Sequence, residues 1–178
     1  MSTIKVNNIQ SRTGNAINFT SGDTITIPSG ATFTNNGTAT GFGGGKIGQV
    51  IQSSYSTAVT LNTSSFVDSG LTASITPSAT SSKILVSVVQ SIYLDGGGAG
   101  ITLRVVRDST TVFTQPVNYA RYQPSSSNDR IFYPIEYLDS PSSISAITYK
   151  TQGICAFNTG KVQHDSITST ITLMEVLA

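Results

Sequence analysis

Between residues 83 and 94 the apolar side chains leave little choice of backbone. Ile84, Val86, Val88, Ile92 and Leu94 share one parity, and Leu85, Val89 and Tyr93 share the other. Successive side chains of an extended segment point to opposite sides, so this spacing predicts a strand with apolar residues on both faces. Such a strand is covered on both sides, or turns its second face to another subunit. Ile101, Leu103 and Val105 alternate in the same way, with Arg104 and Val106 outward, and so do Ile131, Tyr133, Ile135 and Tyr137. Tyr93 and Val106, on the second faces of these strands, are the expected trimer contacts of the C-terminal domain.

The rest of the text agrees with strands. No helical period survives inspection. The chain holds 26 Ser and 25 Thr, residues that suit turns and strands, while only 11% of its residues are charged. Segments 48–55, 65–67, 70–76, 83–94, 101–107, 110–115, 117–122, 130–138, 144–152, 154–157 and 168–177 read as strands. Turn signals fall roughly every 8–12 residues, so about ten strands fit an all-β antiparallel sandwich of the jelly-roll kind. Its edges need protection, which a trimer with sheets abutting at an axis would give.

A different pattern occupies the N-terminal part. Ile9, Ile17, Ile25 and Phe33 fall eight residues apart; Gly14, Gly22 and Gly30 keep the same step, and Gly37 comes one residue early. Each unit has room for a short strand and a turn such as Pro28-Ser29-Gly30, but offers only one or two large apolar side chains. An isolated hairpin is marginal in water, and repeats of this kind become stable when neighbours bury their apolar row. Identical arms winding together, with Ile17, Ile25 and Phe33 at the trimer contact, would do so. Five glycines between Gly41 and Gly48 make a flexible joint. The expected organisation is an arm over residues 1–40, a joint over 41–48 and a sandwich head over 49–178.

Composition narrows the chemistry. With a formal net charge of +1 and no basic stripe, neither nucleic acid nor membrane insertion is expected. The start, Met1-Ser2-Thr3-Ile4-Lys5, lacks an apolar signal region, so synthesis in a cytoplasm is expected. Gly45-Lys46 is no phosphate loop, because Thr40 replaces the first glycine and Ile47 stands where Ser or Thr should hold magnesium. His164 and Cys155 are the single residues of their kinds, so no metal or other cofactor is expected. Asp95 and Asp129 sit in loops without companions at calcium-ligand spacing. His164-Asp165-Ser166 contains the triad residue types, but sequence neighbours are expected to point apart. Glu136 and Asp139 are the only close acids fit for glycoside hydrolysis, and Asp139 is expected in a Ser-Pro turn. The chain therefore reads as non-enzymatic.

Binding by surface remains. Residues 118–123 combine Tyr119, Arg121 and Tyr122, types enriched in interface hot spots and, for tyrosine, suited to stacking on sugars. With Asn128 in the 124–129 loop they are the candidate residues for binding a host surface glycan or protein. Loops 95–100 and 158–166 are further candidates, since loops on a rigid sandwich commonly carry function.

Several stretches resemble a family of tail-fibre-like virion structural proteins from tailed phages of marine bacteria. They include Lys5-Val6-Asn7-Asn8-Ile9, residues 22–30, Gly37-Thr38-Ala39-Thr40-Gly41-Phe42-Gly43, Val67-Asp68-Ser69-Gly70-Leu71, residues 81–86, Leu138-Asp139-Ser140-Pro141 and residues 169–176. Each motif is low-complexity β text, and their order over nearly the whole chain carries the likeness. The resemblance implies a homotrimeric appendage of the virion, made in the host bacterial cytoplasm. Its N-terminal part, with Ile4, Val6 and Ile9, would join other virion proteins, and its sandwich would face outward. The head is similar in architecture to C1q-like and TNF-like trimeric heads. The chain is shorter than long fibres, which keeps a capsid decoration or cement protein as the alternative and a polysaccharide depolymerase as a third reading.

Overall fold

The computed structural model describes residues 46–61, 65–118, 120–124 and 126–177. Eleven strands make up this part: β1 (Ile47–Tyr55), β2 (Val59–Thr60), β3 (Val67–Ile75), β4 (Lys83–Asp95), β5 (Ala99–Arg107), β6 (Thr110–Thr114), β7 (Arg121–Gln123), β8 (Asp129–Asp139), β9 (Ile147–Cys155), β10 (Thr159–Val162) and β11 (Ser169–Val176). A short 3-10 turn, His164–Ser166, separates the last two. Among the described residues there is no α-helix.

All strand pairs are antiparallel and form two sheets. In the first, β4 is the organising strand, as its two apolar faces lead one to expect. One of its edges pairs along its length with β8. Its other edge is shared: β11 pairs with residues 83–89 and β10 with residues 92–95. Beyond β11 lies β1, and beyond β10 lies β2. In the second sheet β9 separates β3 from β5, and the far edge of β5 is shared by β6 and β7.

The two sheets enclose one apolar core in a sandwich-like arrangement. Ile84, Val86, Val88, Ile92 and Leu94 of β4 are all at most 2% exposed, and meet Leu71 and Ile75 of β3, Ile101, Leu103 and Val105 of β5, and Ile171 and Leu173 of β11. Fully burying a side chain of this size contributes about 1.5–3 kcal/mol. A polar chain crosses this core. Ser69 Oγ contacts Thr151 Oγ1, which donates to Gln90 Oε1 at 2.8 Å, and Gln90 Nε2 donates to Ser169 Oγ at 2.9 Å. These residues come from β3, β9, β4 and β11, so the link between Thr151 and Gln90 joins the sheets through their interior. Gly70 makes the bulge in β3 possible: its φ is +82°, and a Cβ there would lie 2.2 Å from the Tyr55 ring.

The segments differ from expectation in instructive places. Residues 144–152 and 154–157 were separated by Gly153, yet Ile147–Cys155 is one strand. Gly153 does not break it, because the Leu61 side chain fills the space of the missing Cβ, with Cδ1 2.6 Å from that position. Residues 65–67 form no strand of their own and only lead into β3. The strand expected over 117–122 is the shorter Arg121–Gln123. Residues 158–166, expected as a loop, contain β10, and the short β2 pairs with it. Ile47 and Gly48, grouped with the glycine joint, open β1.

Candidate functional site

The outer faces of the two sheets are chemically unlike. On the first sheet, cross-strand neighbours line up in rows. Val50, Met174, Leu85 and Leu138 form one row; Gln52, Thr172, Ser87 and Glu136 the next; Ser54, Thr170, Val89 and Pro134 the third. Phe132, paired with Ser91, follows. Val50, Val89, Phe132 and Leu138 are 55%, 41%, 57% and 47% exposed. Glu136 carries the one formal charge in these three rows, with Lys83 beyond one end and Arg130 beyond the other.

The second sheet turns a self-paired charged ladder outward. The Arg104 guanidinium lies 4.0 Å from the Phe66 ring centroid and donates through Nε to Gln152 at 2.7 Å. Gln152 and Lys150 both reach the Asp68 carboxylate, the lysine at 2.9 Å. The Lys150 ammonium holds the Asp68 carboxyl below its usual range.

A cleft lies where the chain leaves the edge of β4 between β10 and β11. Tyr93 has Lys161 on one neighbouring strand and Arg130 on the other. The guanidinium is 5.0 Å and the ammonium 5.9 Å from its ring centroid, and His164 stacks on the ring at 4.0 Å. His164 Nδ1 is 3.0 Å from Asp165 Oδ2, in an orientation short of a hydrogen bond. The contact corrects the expectation that these neighbours point apart: Asp165 has a φ of +56°, which turns its carboxylate back onto the imidazole. Beside this stack is a cavity of about 210 Å³ lined by Ser91, Phe132, Ile167 and their neighbours.

The loop-bearing end of the sandwich gathers residues 95–99, 115–118, 120–124, 126–129 and 156–158. Arg121 pairs with Asp129, and Asn128 Oδ1 accepts from the Gly96 amide at 3.2 Å. Two of the expected contact residues thus brace the loops. Tyr122, 50% exposed, and Phe157, 61% exposed, offer aromatic surface there.

The other expected sites fall as follows. Ile4, Val6, Ile9, Ile17, Ile25, Phe33 and Tyr119 lie outside the described residues. Tyr93 is on the outer face of the first sheet but only 6% exposed, because His164 covers it. Val106, 4% exposed, belongs to the second sheet, between Thr111 and Lys150. Within one chain neither side chain exposes more than a small part of its surface.

Asp139 ends β8 facing inward, where it accepts from Arg107 Nη1 at 2.7 Å and from the Tyr149 hydroxyl at 2.6 Å, whereas Glu136 points out. The two do not form a pair across a cleft. Burial pushes the Cys155 thiol up, and its sulfur donates to the Phe157 carbonyl. Burial and then the Asp139 carboxylate raise the Tyr149 phenol far above its usual value. Among the described residues no three His, Cys, Asp or Glu side chains stand together at metal-binding distance.

No protein-family model matches the chain, and no curated protein matches it.

Proposed function

We propose that this chain is a non-enzymatic structural protein of a phage particle, a trimeric tail-fibre or appendage protein. Its arm attaches to the particle and its head displays loops to a host surface. The observation that carries the proposal is the outer face of the first sheet, where Glu136 is the one formal charge in three rows. An apolar strip across four strands, ending in a half-exposed leucine and valine, marks a surface that another protein covers. The hydroxyls between the apolar positions are cheap to desolvate compared with the charged ladder on the opposite sheet. Three copies packing these faces around an axis would protect them without burying any ladder charge.

The sequence of connections supports the jelly-roll reading with a head similar to C1q-like and TNF-like domains. The longer strands divide four and four, as β1, β11, β4, β8 and β3, β9, β5, β6, and the chain crosses between sheets after β2, β3, β4, β7, β8 and β9. Trivalent display would let weak contacts through Tyr122 and Phe157 add into firm attachment. A light-scattering mass at micromolar concentration tests assembly: a trimer is expected, and a clean monomer would refute it. Labelling on particles tests the place. Signal at the tail is expected, and signal over the whole shell would replace the appendage with a capsid cement protein.

A further inference from the structure

We infer that the cleft above Ser91 binds a sugar ring carrying a carboxylate. The inference goes beyond the structural role and needs only one chain, since every residue lining the cavity belongs to it.

The first ground is the backbone. Strands β10 and β11 run in the same direction along the same edge of β4, so one continuous strand would satisfy the topology. Instead residues 163–168 swing out, with Gln163, Asp165 and Ser166 at φ of +52°, +56° and +59°. Left-handed conformations disfavour residues other than glycine, and they persist where the surroundings hold them, often at binding sites. What this excursion produces is the cavity, with His164 and Ile167 as one wall.

The second ground is the chemistry of the walls. The cavity holds about 210 Å³, enough for one substituted six-membered ring. Phe132 and Ile167, both substantially exposed, provide apolar surface for the C–H face of such a ring. Arg130 stands at the mouth, with Lys161 on the other side of Tyr93. Its contact with Asp165 is long, 3.5 Å, and both side chains are more than half exposed. A ligand carboxylate can take the place of Asp165 on the guanidinium, whose planar fork suits a bidentate pair. An acidic sugar meets both requirements together, while acetate has no ring and glucose no charge.

The chain's single histidine makes the test local, because its imidazole proton signals report on the cavity alone. The full-length protein is titrated with glucuronate, glucose and acetate while these signals are followed by NMR. Saturable shifts with glucuronate are expected, with glucose and acetate at least tenfold weaker. Arg130→Gln should weaken glucuronate by about tenfold or more, the scale of a lost charge-assisted pair. Asp165→Asn should tighten it several-fold, since asparagine accepts the left-handed backbone and removes the competing carboxylate. A glucuronate oligomer binding more tightly than the monomer identifies a polysaccharide as the source, and equal affinity identifies the free acid. Absent shifts, equal response to acetate, or an unchanged Asp165→Asn variant would each overturn the inference. Light scattering on every variant keeps loss of assembly separate from loss of binding.

Discussion

Leu138→Lys gives the most direct test of the self-association face. Leu138 is 47% exposed at the end of the row it forms with Leu85, Met174 and Val50. Burying the open half of such a side chain is worth about 1 kcal/mol. Three half-exposed residues, Val50, Val89 and Leu138, therefore supply about 3 kcal/mol per protomer toward assembly. Association itself costs about 4–15 kcal/mol in lost freedom, so the margin from these rows is narrow. A lysine removes one contribution and sets an ammonium in the contact near Lys83, and desolvating it unpaired costs several kcal/mol more. Within one chain the position stays open to water, so folding stability should move by no more than about 1 kcal/mol. Light scattering should give a trimer for the parent chain and for Leu138→Met, and a monomer for Leu138→Lys with near-native circular dichroism. A Leu138→Lys protein that keeps the parent mass and melting temperature would refute the assignment of this face.

Three predictions concern the head's own stability. Burial by itself would raise the Glu175 carboxyl, but hydrogen bonds from Ser78 N and Oγ, both 2.6 Å, and from Gln49 hold it at about 2 against an ordinary value of 4.5. A depressed carboxyl contributes stability above its unfolded value and loses it as the pH falls through the folded one. Glu175→Gln should therefore cost about 3 kcal/mol at neutral pH, with the difference from the parent shrinking below about pH 4.5 and vanishing near 2 in denaturant titrations. Thr151→Val should cost about 1–3 kcal/mol, because it strips the hydroxyl that donates to Gln90 inside the core; chemical denaturation reads this directly. Gly70→Ala should destabilise by about 2 kcal/mol or more, from the left-handed backbone and the Tyr55 ring together, and a melting temperature within a degree or two of the parent would contradict that account.

The all-β class and the faces of β4 were legible because alternation is local information. Every residue assigned inward there, from Ile84 to Leu94, is buried, and Val89 on the other parity is exposed. The outer rows were less legible. In β8 the clean run of Ile131, Tyr133, Ile135 and Tyr137 drew attention away from Phe132 and Leu138, which share the opposite face with Arg130, Pro134 and Glu136. The burial of Tyr93 was not legible, because its cover, His164, arrives from another strand edge and no local pattern announces that stack. The same holds for the excursion at 163–168: Gln163, Asp165 and Ser166 take backbone angles more often given to glycine. Gly153 misled for the converse reason, since its missing side chain makes room for Leu61 and does not mark a turn. Arg121 and Asn128 are expected from the sequence to contact a host surface, and the sequence does not announce their partners Asp129 and Gly96, through which they brace the loops.

The contrast between the two faces also fixes a direction within the head. Chain enters the described domain at the start of β1, where Ile47 pairs with Val176, and Val176 pairs with Lys83 at the beginning of β4. The loops carrying Tyr122 and Phe157 lie past the other end of β4, beside Gly96 and Asn128. The rows, with Glu136 as their one formal charge, run along the sheet between these ends. A protein assembling through them keeps its entry point and its loops at opposite poles of the head, whatever the number of copies. Assembly through the second sheet would instead desolvate Arg104, Asp68 and Lys150, whose pairings are already complete within the chain and gain little from a partner. The energetic preference for the first sheet and the polar separation of entry and loops therefore follow from the same distribution of side chains.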